Sequence, residues 1–428
     1  MAKYFKEPLL INPEVRRNFL LNWMDGTFFA FGMSFVPVMT VLPVFVRQVG
    51  GNNITVALVQ VIWIIGVNFP QIFIANYTRQ LPYKKPFFLK TAALQRLPWL
   101  LMALLCFFII KNVSSNMGLV FFFIAFGLAA IAGAVNYPGW FDLISKITPV
   151  NLRGRLFALR TITGAILGIA GGWLVKIILS AQPFPANFGY LFLLAFVMMT
   201  VSYVALIFLK EQEANASTES LNHFQYFRQL PNLIKSNHNF LNFLIADSLM
   251  TIGLIAQPFF IVNAMQRFGL DSASSGSFTM IYMLSMVILN LCSGSIGDRF
   301  GHRVNMIIAA FSVLASCVLA ITLRSLSLYY FVFVLSALNT SMIQVSRLPI
   351  LAEICNEKER PTYISISNMI TSPFILLGLL GGYLVDLYGY DVIFAIAGLG
   401  GFLSLIWWVF YVAEPRRQNI FVVESVER

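Results

Sequence analysis

Long apolar runs separated by short polar breaks account for most of this chain. They fall at Phe19–Val46, Ile54–Ala75, Phe87–Ile110, Gly118–Phe141, Phe157–Leu179 and Phe188–Leu209, then at Phe240–Val262, Ser277–Ile296, Val304–Leu323, Leu328–Leu351, Ile364–Leu387 and Val392–Val412. A helix that crosses a bilayer needs about 20 apolar residues, and each run supplies a segment of that order. The pattern predicts six spans, a polar stretch at Lys210–His238, and six more. Glu211, Glu213, Asn215, Ser217 and Thr218 make the first part of that stretch a flexible linker. Leu221, Phe224, Phe227 and Leu230 recur at helical spacing, as in a helix lying on a membrane surface or a packed linker helix. The expected division is residues 1–209, a linker at 210–238, and residues 239–428.

Composition narrows the class. Of 428 residues, 58% are hydrophobic and only 11% charged, against about 25% charged in soluble domains. Lipid must therefore cover most of the surface, which makes this an all-α membrane protein. The net charge of +11 does not point to nucleic acid, because the basic residues are spread over short loops. One set of loops, from Lys3 through Arg160 to Arg428, holds 22 of the 29 basic residues, and the opposite set holds five. The positive-inside rule places both termini and the central stretch in the cytoplasm, and a bacterial plasma membrane is the expected location. The first run is too long for a signal-peptide core. Cys106, Cys292, Cys317 and Cys355 lack metal-ligand spacing and are expected as free thiols.

The two halves repeat. Asn18-Phe19-Leu20 leads to Asp25 as Asn239-Phe240-Leu241 leads to Asp247, and Pro37 matches Pro258. Pro138 with Asp142 matches Pro349 with Glu353, and the Gly168-Ile169-Ala170-Gly171-Gly172 stretch matches Gly378-Leu379-Leu380-Gly381-Gly382. Parallel repeats of six spans are a transporter architecture.

Between the eighth and ninth runs the chain reads Gly294-Ser295-Ile296-Gly297-Asp298-Arg299-Phe300-Gly301-His302-Arg303. This compact, charged turn fits the pattern Gly-x-x-x-Asp-Arg-x-Gly-x-Arg. With this loop, the twelve spans and the repeat, the chain resembles the major facilitator superfamily over nearly its whole length. The resemblance implies 12 transmembrane helices in two pseudo-symmetric six-helix bundles, a substrate cavity between them, and alternating access by rocking. It also makes the loop a cytoplasmic gate built on Gly294, Asp298, Arg299, Gly301 and Arg303. Asp298 is then expected to meet the start of span 5, where Arg153 and Arg155 stand. Arg299 and Arg303 are expected to meet Glu353, with Arg360 nearby, and Asp142 with Arg153 would be a weaker first-half version. Ordinary solvated loop charges are the alternative. The first-half loop departs from the pattern, with Asn76 in place of the aspartate and no glycines, although basic residues survive.

Asp25, Arg96, Asp247 and Arg347 lie inside apolar runs, where each costs about 2.5–3.5 kcal/mol to insert centrally. Each is therefore expected to face protein or water and to have a partner. Asp25 shares a helical face with Asn22, Phe29 and Gly32; Asp247 shares one with Thr251, Leu254 and Pro258. Thr340, Gln344 and Arg347 share another, and Asn136 and Trp140 are one turn apart. In the family, spans 1, 4, 7 and 10 line the cavity, so Asp25, Asn136, Trp140, Asp247, Gln344 and Arg347 are the candidate substrate and proton pathway. Desolvation raises a carboxylate's pKa and a nearby arginine lowers it, so a motion that makes or breaks an Asp–Arg contact would move a proton. Arg347 is the expected partner of Asp247. Arg96 is available to Asp25, with a structural role expected for it. Fixed ion pairs are the other reading of both aspartates.

These expectations describe a secondary active transporter for a small organic solute, coupled to protons, acting as a monomer in the lipid bilayer. No cofactor, metal, nucleic acid or enzymatic activity is expected, since no nucleophile set, zinc spacing or phosphate loop is present. Two alternatives stand beside it. One is proton-driven efflux of amphipathic or drug-like compounds, disfavoured by Ile169, which stands where family antiporters carry a proline. The other is a non-transporting protein that keeps the fold, such as an assembly factor or sensor.

Overall fold

The computed structural model describes residues 12–71, 74, 77, 81, 83–211, 237–355 and 360–415. The predicted linker, the first-half copy of the loop around Asn76 and the basic residues at both termini fall largely outside these. Among the described residues the protein is helical, and ten helices are long and apolar enough to cross a membrane. A broken first segment and a shorter apolar helix at Asn53–Asn68 are consistent with twelve crossings.

Helix ends follow local chemistry. Helix α1 (Pro13–Met33) opens with Asn12, whose side chain accepts from the amides of Glu14 and Val15, and with Pro13 in the first turn. Proline suits that position because its missing N–H has no helical partner there. The run read as one span at Phe19–Val46 is broken after Met33, and α2 (Val41–Val49) resumes beyond a turn around Pro37. The seventh span breaks the same way, with α8 (His238–Leu254) separated from α9 (Gln257–Phe268) just before Pro258. A proline inside a helix removes one hydrogen bond and clashes with the preceding turn. The repeated prolines thus mark a repeated break.

The remaining elements of the first half are α3 (Asn53–Asn68), α4 (Lys85–Leu104), α5 (Ser115–Ile147), α6 (Val150–Ala181) and α7 (Ala186–Ile207). Those of the second are α10 (Ser274–Phe300), α11 (His302–Thr322), α12 (Leu326–Ile354), α13 (Arg360–Thr371), α14 (Leu377–Tyr388) and α15 (Tyr390–Phe410). The 33 residues of α5 span about 50 Å at 1.5 Å per residue, longer than a ~30 Å hydrocarbon layer. The segment read as a loop at 294–303 is almost entirely helical: α10 runs through Phe300, and only Gly301, at φ 94°, separates it from α11. That left-handed φ is open to glycine at little cost.

The chain forms two compact units, one of residues 1–50, 66–220 and 275–280, the other of 51–65, 221–274 and 281–428. The units do not cut the chain at a single point: the start of α3 groups with the second and the start of α10 with the first. Within the first unit, α1 packs on α6 and α7, and α4 on α5 and α7. Within the second, α8 packs on α15, and α11 on α12 and α15. A core of Phe19, Phe88, Leu143, Leu156 and Leu206 fills one end of the first unit, and one built on Phe240, Phe243, Met306 and Trp408 fills the second.

The repeated asparagines explain one of these packings. Asn18 on α1 donates to the carbonyl of Lys210 (2.9 Å) and accepts from its amide (3.0 Å). Asn239 on α8 makes the same two-point contact with Ala413 (3.2 and 2.8 Å). In each half the first helix is tied to the backbone leaving the last. Asn18→Ala and Asn239→Ala should each lower the unfolding free energy by about 1–3 kcal/mol, the cost of orphaned backbone groups. Thermal unfolding of the purified protein measures this, and the double variant should show the sum, since distant sites add.

Candidate functional site

The first unit holds its buried aspartate with an arginine from α6. Asp25, at mid-helix on α1, lies 3.0 Å through Oδ2 from Nη1 of Arg160. The same nitrogen donates to the carbonyl of Asn22 (2.7 Å) and to the Asn22 side-chain oxygen. Gly26 makes this crossing possible, because a Cβ there would fall on the Arg160 side chain. The Arg160 guanidinium also lies 4.9 Å from the Trp140 ring, a cation–π distance. Asp25 Oδ1 accepts from Ser202 (2.7 Å), which in turn accepts from Arg96 Nη2 (3.1 Å). Arg96 therefore reaches Asp25 through a hydroxyl. Its other nitrogens donate to the carbonyls of Met199 and Ala92, both 2.6 Å, so it ties α4 to α7 as well.

Asp25, Arg96, Trp140 and Arg160 border a cavity of about 190 Å³ that also meets Phe29, Gln95, Gly133, Asn136 and Tyr137. Asn136 accepts from Thr91 (2.9 Å) and donates to Gln95 (3.2 Å). Asp25, Arg96, Asn136 and Trp140 are thus brought together around one space.

In the second unit Asp247 on α8 meets Arg347 on α12. Nε and Nη2 both donate to Asp247 Oδ2, at 3.0 and 2.9 Å. Arg347 also donates to Asn368 (2.9 Å) and Ser367 (2.8 Å) on α13. Gln344 is exposed one turn away, and Thr340 accepts from Tyr282 (3.1 Å). The cation comes from a different place in each half. Arg347 stands two residues before Pro349, and the matching residue before Pro138 is Asn136.

The residues expected to form a cytoplasmic gate divide. Gly294, Asp298 and Arg299 ride the last two turns of α10, with Arg299 lying 5.3 Å from the Phe300 ring. Arg303 goes to the end of α15 rather than to Glu353: its side chain donates to the carbonyls of Trp408 (3.0 Å) and Val409, and its amide to Glu414 (3.2 Å). A helix C-terminus carries partial negative charge and unpaired carbonyls, which draw a cation. Asp142 lies 3.6 Å from Lys84 rather than against Arg153. Arg153 instead donates to the carbonyls of Thr148 (3.1 Å) and Ser145, closing the end of α5. Arg155 is half-buried early in α6, and the side chain of Arg360 lies outside the described residues.

The first half repeats the Arg303 arrangement without the loop motif. Glu211, leaving α7, accepts from the amides of Lys84 and Lys85 (3.0 and 2.8 Å) and from Lys146 (2.8 Å). Lys85 donates to the carbonyls of Ile207 and Leu209, both 2.7 Å. In both units an acid after the last helix caps the third, and a basic residue on the third caps the last. The basic residues that survive without the glycines thus keep a place in the fold.

Arg160, Glu211, Glu414, Gln95 and Tyr137 were not among the residues singled out from sequence. Arg160 was counted with the loop charges beside Arg153 and Arg155 although it falls inside the apolar run that begins at Phe157, and in the structure it lies well within α6, which begins at Val150. The available signal was Asp25 itself, an inserted anion lacking a neighbour of opposite charge on its own helix.

Several comparisons bear on this arrangement. The family model described as Major Facilitator Superfamily matches residues 240–425. No curated protein matches the sequence. Among solved structures, a D-xylose-proton symporter aligns with TM-score 0.71 at 12% identity, covering 94% of this chain and 99% of its own. A nucleoside transporter aligns at 0.69 and 14%, covering 93% and 100%. A POT family transporter in complex with 5-aminolevulinic acid aligns at 0.69 and 12%, covering 92% and 96%. The family model thus matches the second half, and the fold of these transporters extends over nearly the whole chain.

Gly26→Ala should displace Arg160 and leave Asp25 buried without its cation. Breaking a buried pair costs roughly 3–5 kcal/mol, so the variant should lose about as much thermal stability as Arg160→Gln. The double variant should be no less stable than either alone, a non-additivity that a double-mutant cycle measures.

Proposed function

We propose that this chain is a secondary active transporter that moves a small organic solute by alternating access, with protonation of Asp25 and Asp247 coupled to the cycle. The carrying observation is that each half buries one aspartate on its first helix against an arginine from another helix. Such charges are costly in a membrane and serve transport pathways more often than packing. Two helices that shift relative to each other lengthen the Asp–Arg contact, which favours the protonated acid; return of the arginine expels the proton. The fold shared with a sugar-proton symporter and a nucleoside transporter supports solute movement.

On this reading the chain is built as two bundles, residues 1–209 and 239–428, joined by 210–238. Asn136, Trp140 and Gln344 line the path beside the two ion pairs. Asp298 and the basic residues near it gate the cytoplasmic side, and both termini are cytoplasmic in a bacterial plasma membrane. The protein works as a monomer without a cofactor.

Flux in proteoliposomes under an imposed pH gradient tests the proposal. Wild-type uptake or efflux of a solute from a metabolite panel should be saturable and accelerated by the gradient. Asp25→Asn and Asp247→Asn should each abolish that acceleration. Gradient-independent flux in the wild type, or unchanged acceleration in both variants, would remove proton coupling from these residues.

A further inference from the structure

The cavity of the first unit carries an imbalance of charge and of donors. Its walls include two arginines, Arg96 and Arg160, and one acid, Asp25. Asp25 is already shared: one oxygen faces Arg160 and the other is reached by Arg96 through Ser202. One positive charge is left over, in a place where an unbalanced charge is costly.

The donors tell the same story. Among the described residues, Arg160 makes its hydrogen bonds to Asn22 and its ion pair with Asp25 through Nη1, and no hydrogen bond through Nη2. Asn22 Nδ2 beside it is buried without an acceptor. Across the cavity, Thr91 donates to Asn136 and Asn136 to Gln95 Oε1, so that chain of bonds ends on the Gln95 amide nitrogen. The Arg160 guanidinium carbon lies over the Trp140 ring, 4.9 Å from its centroid, and a guanidinium holds a carboxylate through its N–H groups, of which those on Nη2 are left.

We propose that this cavity binds a small organic monocarboxylate. Its charge sits at Arg160 and within reach of the field of Arg96, and its apolar or aromatic body lies against Trp140 and Tyr137. The volume of about 190 Å³ is of the order of the ~150 Å³ cavity that admits benzene, which sets the ligand at the size of a short or single-ring acid. The proposal rests on the transporter reading and names its substrate class.

Calorimetric titration of the full-length protein in lipid nanodiscs tests it. Probes are acetate and benzoate, their neutral amides acetamide and benzamide, and benzylamine as a cation of similar shape. Benzoate should bind one per chain and about tenfold or more tighter than benzamide, the expected worth of a charge-assisted bond. Arg160→Gln should remove that preference. Should this variant fail to fold, Trp140→Leu, which leaves the ion pair in place, should weaken benzoate more than acetate. Amides or benzylamine binding as well as the acids, or no acid binding at all, would overturn the proposal. Carboxylate binding without flux of any solute would uphold this site and remove the transporter reading. Flux of a neutral or cationic solute with no carboxylate binding would do the reverse.

Discussion

A carboxylate placed at the middle of a membrane helix has to be neutralised by a group that its own unit can supply. This requirement organises both halves of the protein. On α1 it brings Arg160 across from α6, and that crossing needs Gly26 to have no side chain. On α8 it brings Arg347 from α12, which in turn is steadied by Ser367 and Asn368 on α13. At Asp25 helices α1, α6 and α7 meet, and at Asp247 α8 meets α12 with α13 behind the arginine, so helix packing and site geometry are set together.

The repeat keeps some devices and relocates others. The asparagine near the start of the first helix, the proline break beyond its middle, and the exchange of end caps between the third and last helices occur in both units. These depend on backbone groups, which any sequence presents. The cation differs. Where Arg347 serves the second unit, the first has Asn136 at the matching place and draws its arginine from α6 instead. The outcome is one cavity in the first unit that keeps an amide, an aromatic ring and an excess positive charge. The second unit pairs its charges directly, with a single carboxylate oxygen accepting two nitrogens.

Much of this was legible in the residues. The apolar runs located the helices, and the matched Asn, Pro and Gly positions exposed the repeat. Asp247 and Arg347 announced each other because both lie in apolar runs, where a lone charge is costly. Arg160 did not, because Arg153 and Arg155 just before it made the whole stretch look like a solvated loop, while the helix had already begun at Val150. Hydropathy also passed over the break at Pro37, since it weighs side chains and ignores the backbone bond that proline removes. The charged segment at 294–303 read as a turn for the opposite reason. Its polarity suggested a loop, yet only Gly301 leaves helical geometry. The family resemblance assigned Arg303 to Glu353, and the open carbonyls at the end of α15, invisible to a count of charges, hold it instead.

The central claim is that the two buried aspartates change protonation as the protein works. Infrared difference spectroscopy of the protein in lipid, recorded as a transported solute is added, observes the protonated carboxyl C=O stretch directly. The account predicts two such bands that change with solute, one lost in Asp25→Asn and the other in Asp247→Asn. Spectra in which neither variant removes a band, because both carboxylates stay ionised throughout, would contradict it.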